Sequence, residues 1–188
     1  MNRVRIFIRS LLVLWAILSV PLPGFGEEAV VDYNNVVIVL DASGSMQEKM
    51  SGTSVCKMDA AKDALKEVLK QVPEATQIGL LVFCKNLGAN EWIYPLGPRV
   101  DSKLIRAIDL PQPGGGTPLG EYMKKGADRL LEQRRMQHGY GTYKLLVVTD
   151  GEAQDQNAVD LYVPEVMARG ITVDVIGVDM QTTHTLAT

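Results

Sequence analysis

Cysteine and histidine are scarce, with two of each in 188 residues. Neither His138 nor His184 has a partner at zinc-ligand spacing, so both read as loop or surface residues rather than ligands. Base does not outweigh acid: 19 Lys and Arg stand against 22 Asp and Glu, a formal charge of −3. With no basic run, the positive footprint of a nucleic-acid binder is missing. No apolar run reaches the roughly 20 residues that a bilayer span needs. Internal repeats and low-complexity linkers are also absent. A composition of 46% hydrophobic and 22% charged residues excludes a disordered chain, a collagen and a disulfide-stapled miniprotein. One globular domain is the expectation at this length.

Charge is unevenly placed. Residues 1–26 carry Arg3, Arg5 and Arg9 and no acid, which leaves 16 basic against 22 acidic residues and a charge of −6 in the remainder. An apolar run, Leu11–Val20, follows the arginines and is broken by Pro21 and Pro23. Gly24-Phe25-Gly26 then places small residues where a signal peptidase reads. A basic start, a short apolar core and a small-x-small exit make residues 1–26 a secretory signal, with an uncleaved anchor as the alternative. No cysteine lies near the exit to carry a lipid. The expected organisation is a signal over 1–26, a lead-in over 27–35 and one domain over 36–188. The mature protein is then exported, periplasmic or secreted, with no stable membrane insertion.

Val36–Leu40 is a wholly apolar, β-branched run, as expected of a strand buried on both faces. Lys57–Val72 has Met58, Ala61, Leu65, Val68 and Val72 at helical spacing, and Pro73 closes it. Gln77–Phe83 reads as a strand, Trp92–Tyr94 as a shorter one at an edge, and Ser102–Ile108 as a brief helix. After the loop Pro111–Gly116, a long helix is expected over Pro118–Arg135. A strand over Lys144–Val148, a helix over Ala158–Arg169 stopped by Gly170, and a strand over Ile171–Val178 complete the series. This alternation predicts an α/β fold, a doubly wound and mostly parallel sheet with helices on both faces. Ligands bind such folds beyond the carboxyl ends of the strands, where the polar clusters of this chain fall.

Asp41-Ala-Ser43-Gly-Ser45 follows the first strand, Asp150 follows the strand Lys144–Val148, and Thr117 ends the glycine-rich loop. If those two strands are neighbours, two carboxylates and three hydroxyls meet at one end of the sheet. Hard oxygens in that number suit magnesium, with manganese or calcium as alternatives. Two carboxylates neutralise a divalent ion only formally, so it stays electrophilic toward an acidic side chain on a partner. Each element has a plainer reading: Ser43 and Ser45 as a turn, Thr117-Pro118 as a helix cap, Asp150-Gly151 as a turn.

Together, Asp41-x-Ser43-x-Ser45, Thr117 in Gly-Gly-Thr-Pro and Asp150 in Thr-Asp-Gly resemble the metal-ion-dependent adhesion site of von Willebrand factor A-type domains, over roughly residues 34–180. The resemblance implies a metal held by Asp41, Ser43, Ser45, Thr117 and Asp150, a partner protein offering an Asp or Glu carboxylate, and no enzymatic activity. Members with Asp-x-Ser-Gly-Ser-Met and Thr-Asp-Gly-Glu imply an exported bacterial protein. A structural subunit with a stabilising metal, and a metal-dependent hydrolase, are the alternatives. The family pattern continues with a further helix, strand and closing helix, so the last strand and helix are expected to be lacking here. Ile171–Val178 would then be an apolar edge open to pairing.

Cys56 and Cys84 are expected at the same end of the sheet. In an oxidising compartment they would form a bridge that pins the first loop and contributes about 3 kcal/mol. Two free buried thiols are the alternative. Other motifs fail: Ser54-x-x-Lys57 lacks its companions, and Gly115–Gly120 has phosphate-loop spacing but Glu121 where lysine is required.

Overall fold

The computed structural model describes residues 33–180 apart from Ala89 and Glu152. The expected signal segment, the side chain of Glu152 and the segment from Thr183 onward lie outside the described residues. Five strands, β1 (Asn34–Asp41), β2 (Gln77–Phe83), β3 (Trp92–Pro98), β4 (Thr142–Thr149) and β5 (Thr172–Gly177), form one sheet in the order β3-β2-β1-β4-β5. All neighbours are parallel except β2 and β3. The helices are α1 (Lys57–Gln71), α2 (Asp101–Asp109), α3 (Leu119–Met136) and α4 (Gln156–Ala168).

The period of two along β1 divides the core. Ile38 and Leu40 pack with Met58, Ala61 and Leu65 of α1 and with Leu104 and Ile108 of α2. Val37 and Val39 pack with Met123, Ala127 and Leu130 of α3 and with Val159 and Val166 of α4. Burial of both faces explains why β1 and β4 read as unbroken apolar runs, and each such side chain contributes about 1.5–3 kcal/mol. α3 and α4 meet at Gly120, where a built Cβ would lie 2.6 Å from Val159 N and 2.7 Å from the Ala158 carbonyl carbon.

The doubly wound, mostly parallel sheet is as the alternation predicts. β3 runs four residues beyond the expected Trp92–Tyr94, through Pro95, Gly97 and Pro98. Those residues hide a strand, and they are tolerated because β3 is an edge that pairs only with β2. The long helix begins at Leu119 with Pro118 as its cap residue. Among the described residues β5 closes the other edge of the sheet.

The chain runs outward from β1 on both sides, toward β3 and toward β5. The crevice between the carboxyl ends of β1 and β4 is therefore the point where the order reverses, the place such sheets use for ligands.

Candidate metal centre

Asp41 is the last residue of β1 and is fully buried. Its Oδ1 accepts a 2.9 Å hydrogen bond from Ser43 N, and its Oδ2 accepts one of 2.6 Å from Thr149 Oγ1. The chain then turns through a short 3-10 helix, Gly44–Gln47, which brings Ser43 Oγ and Ser45 Oγ to 3.1 Å from each other. Burial pushes the Asp41 carboxyl above its ordinary range, and the nearby charge of Asp150 adds to that; hydrogen bonds from Thr149 and Ser43 oppose it.

The glycine loop is fastened to this turn. Gly44 N donates to Gly115 O at 3.1 Å and Gly114 N donates to Ala42 O at 2.9 Å. Gly115 has φ +100, a left-handed conformation that a side chain would strain. Thr117 follows, buried, and its backbone is clamped from both sides: Thr117 N donates to Gln154 Oε1 at 3.1 Å, and Gln154 N donates to Thr117 O at 3.0 Å. Asp155 accepts from Gly120 N and Glu121 N, each at 3.0 Å, so its carboxylate covers the free amides that open α3. Thr117 is therefore not the side-chain cap of that helix.

Asp150 is 4% exposed and lies just beyond β4. Its Oδ2 accepts a 3.2 Å hydrogen bond from Lys57 Nζ, whose second acceptor is Glu48 Oε2 at 2.9 Å. Burial lowers the Lys57 ammonium, but these two carboxylates outweigh it and hold the group above its ordinary value. Asp150 Oδ1 is buried and has no hydrogen-bond partner. An orphaned carboxylate oxygen in the interior is costly.

Register brings together what the sequence separates. β1 and β4 are neighbours, with Leu40 opposite Val148, so Asp41 and Asp150 leave adjacent strands at the same end. Ser43 and Ser45 join Asp41 directly, and Thr117 adjoins through the Gly44–Gly115 bond. Among the described residues no three His, Cys, Asp or Glu side chains converge as a metal-holding group. A cation here would rest on two carboxylates and three hydroxyls, an all-oxygen set suited to magnesium or manganese. The unpartnered Oδ1 of Asp150 and the paired serine hydroxyls fit such an ion.

The expected Cys56–Cys84 bridge is not formed. Both thiols are free and half-buried; Cys56 Sγ donates to Met46 O at 3.1 Å and Cys84 Sγ to Asn86 Oδ1 at 2.9 Å. The first loop is held instead by hydrogen bonds to the glycine loop and to the start of α1. Sequence reasoning also passed over Lys57, Thr149, Gln154 and Asp155 as parts of this site. Only Thr149 carried a signal, its place in Thr-Asp-Gly.

Beside Thr117 a cleft of about 390 Å3 is lined by Phe83, Lys85, Gly115, Pro118, Tyr122 and Gln154. A larger concavity, about 630 Å3 among Arg134, Arg135, His138 and Arg169, lies beyond the far end of α3 and away from these loops. No described helix is long and apolar enough to cross a membrane.

Known proteins repeat this architecture. The manganese-loaded TRAP protein of Plasmodium vivax superposes with a TM-score of 0.59 at 15% identity, covering 84% of this chain and 62% of that one. The pilus adhesin SpaC of Lactobacillus rhamnosus GG superposes with a TM-score of 0.50 at 20% identity, covering 65% of this chain and 16% of that one. At these identities the likeness is one of fold. Two uncharacterized proteins of Bacillus subtilis, YwmC and YwmD, are each 28% identical, over 77% and 71% of this chain. The chain spans 66% and 62% of the lengths of those relatives. Residues 35–188, which take in all five strands except Asn34 at the start of β1, together with the three polar loops, match one family, and the chain belongs to that family, the von Willebrand factor type A domain.

Proposed function

We propose that this domain is a non-enzymatic binding module that holds a divalent cation, magnesium with manganese or calcium as alternatives, through Asp41, Ser43, Ser45, Thr117 and Asp150, and offers it to an Asp or Glu side chain of a partner protein. The observation that carries this reading is the buried Oδ1 of Asp150, which has no hydrogen-bond partner and belongs to a carboxylate near enough to Asp41 for their charges to interact. A cation would satisfy such an oxygen, which is costly to bury without a partner. When bound, the ion supplies a Lewis-acidic position for a carboxylate. Asp41 and Asp150 supply its charge, and the hydroxyls supply neutral donors that leave the ion electron-poor.

The residues around the donors act on position. Thr149 and the Ser43 amide fix the Asp41 carboxylate, and Gln154 holds the backbone of Thr117. The cleft beside Thr117 has room for a partner side chain next to the acidic one. The manganese-loaded state of one structural neighbour and the adhesin role of another agree with this reading. A purely stabilising metal is disfavoured by the hydrogen bonds that already join the three loops. A leader over residues 1–26, as expected from the sequence, would put the module outside the cytoplasm.

Thermal unfolding in EDTA, magnesium, manganese and calcium tests the site. An ion that binds only the native state at a hundred times its Kd raises the midpoint by roughly 5–10 °C. That rise should vanish in Asp41→Ala and in Asp150→Asn. A wild-type midpoint that is the same in EDTA and in every metal would overturn the reading.

A further inference from the structure

Lys57 sits where helices and interiors ordinarily reject lysine. It opens α1, where the helix dipole repels a cation, and it is 9% exposed, although lysine is almost never buried unpaired. The loop before it builds the position: Lys57 N donates to Glu48 O at 2.8 Å and Met50 N to Val55 O at 2.9 Å. The Cys56 thiol reaches back to Met46 O in the turn that carries Ser45. The ammonium is thus aimed between exposed Glu48 and buried Asp150, on the Oδ2 that neighbours the orphaned Oδ1.

We infer that Lys57 is a resident counter-ion of the metal site, weakening cation binding and coupling it to the arrival of the partner's carboxylate. The inference rests on the metal-site reading above. Among the buried groups, Asp41 and Asp150 carry two negative charges against the one positive charge of Lys57, a net charge of one negative. Glu48, the other partner of the ammonium, is 67% exposed and screened by solvent, so it adds little to that balance. A divalent cation turns that into one positive charge, which one incoming carboxylate neutralises. Without Lys57 the cation alone would balance Asp41 and Asp150, and an incoming carboxylate would leave the site negative. Coulomb energies are large in a poorly solvated setting, so this difference of one charge weighs on both binding steps. Linkage makes the effect mutual: if the carboxylate tightens the metal, the metal tightens the carboxylate by the same factor. Lys57 also gives Asp150 a partner when no ion is present.

The test is a manganese titration of the full chain, with free ion counted by its electron paramagnetic resonance signal, first alone and then with sodium acetate as a carboxylate probe at constant ionic strength. Lys57→Met and Lys57→Gln should bind manganese alone about tenfold more tightly than wild type, or better. Acetate should strengthen manganese binding to wild type and do so much less in either variant. A Lys57 variant that folds only in manganese supports the inference, because the ion then replaces the ammonium; one that folds in neither condition overturns it. Affinity unchanged or weakened in both variants, or an acetate effect absent from wild type or equal across all three proteins, also overturns it. The site itself still stands in those cases if Asp41→Ala abolishes the wild-type binding. Wild type that binds no manganese and matches Asp41→Ala sinks the metal-site reading instead.

Discussion

Thr149 Oγ1 donates a 2.6 Å hydrogen bond to Asp41 Oδ2 and accepts one of 3.0 Å from Gly151 N. One buried hydroxyl therefore ties the end of β1 to the turn that holds Asp150. Thr149→Val keeps the shape and removes the donor, leaving Asp41 Oδ2 buried beside a methyl group. The expected loss is about 1–3 kcal/mol. Thr149→Ser, which keeps the hydroxyl, should lose about 1 kcal/mol or less. Urea unfolding in EDTA measures both. Equal losses in the two variants would assign the role of Thr149 to packing.

Asp155 covers the Gly120 and Glu121 amides from outside its own helix. Asp155→Ala should cost about 1 kcal/mol, as other lost N-terminal caps do. Hydrogen exchange at those two amides should quicken while the amides of β1 and β4 stay protected. The neighbouring clamp between Gln154 and Thr117 makes a further consequence expected, a weaker metal response in the same variant. Unchanged exchange at Gly120 and Glu121 would remove Asp155 from the role of cap.

The strands that carry the site were legible because their residues need no tertiary information to declare themselves. Val37–Leu40 and Leu145–Val148 are buried on both faces, and an unbroken apolar run of that length is what a central parallel strand shows. β3 was legible only at Trp92–Tyr94, since prolines in an edge strand look like a loop until β2 is placed beside them. The five proposed oxygen donors stood out because each lies at or just after a strand end or in the loop before a helix. Their supporting residues could not: Thr149 lies 108 positions from Asp41, and Lys57 lies 93 positions from Asp150. The cysteines show the same limit. Placement at one end of the sheet does not set the Cα separation that a disulfide needs, and each thiol has taken an acceptor of its own.

Gly120 marks the closest approach of α3 and α4, where an added Cβ meets backbone atoms of Ala158 and Val159. Gly120→Ala gains about 1 kcal/mol of helix propensity. The overpacking penalty of about 1–3 kcal/mol should outweigh it, because backbone cannot rotate aside as a side chain can. A net loss of about 1 kcal/mol is expected in chemical unfolding. A stabilised variant would show that α4 moves away from α3 at little cost.

Glu91 gives a pH dependence remote from the metal loops. Both of its carboxylate oxygens lie 2.9 Å from Lys125 Nζ. Burial raises its carboxyl, but hydrogen bonds from Lys125 and Tyr122, with the Lys125 charge, outweigh that and hold it below its ordinary 4.5. A carboxylate depressed in the folded state contributes stability above its unfolded value and loses it as pH falls through the folded value. Glu91 is half-buried and Lys125 exposed, so the contribution at neutral pH is only about 0.5 kcal/mol. Wild type should exceed Glu91→Gln by that amount near neutrality, and the two stability curves should converge below about pH 4. Differential scanning calorimetry across that range reads the gap. A difference that persists undiminished at about pH 3 would assign it to the packing of the Glu91 stem and not to its charge.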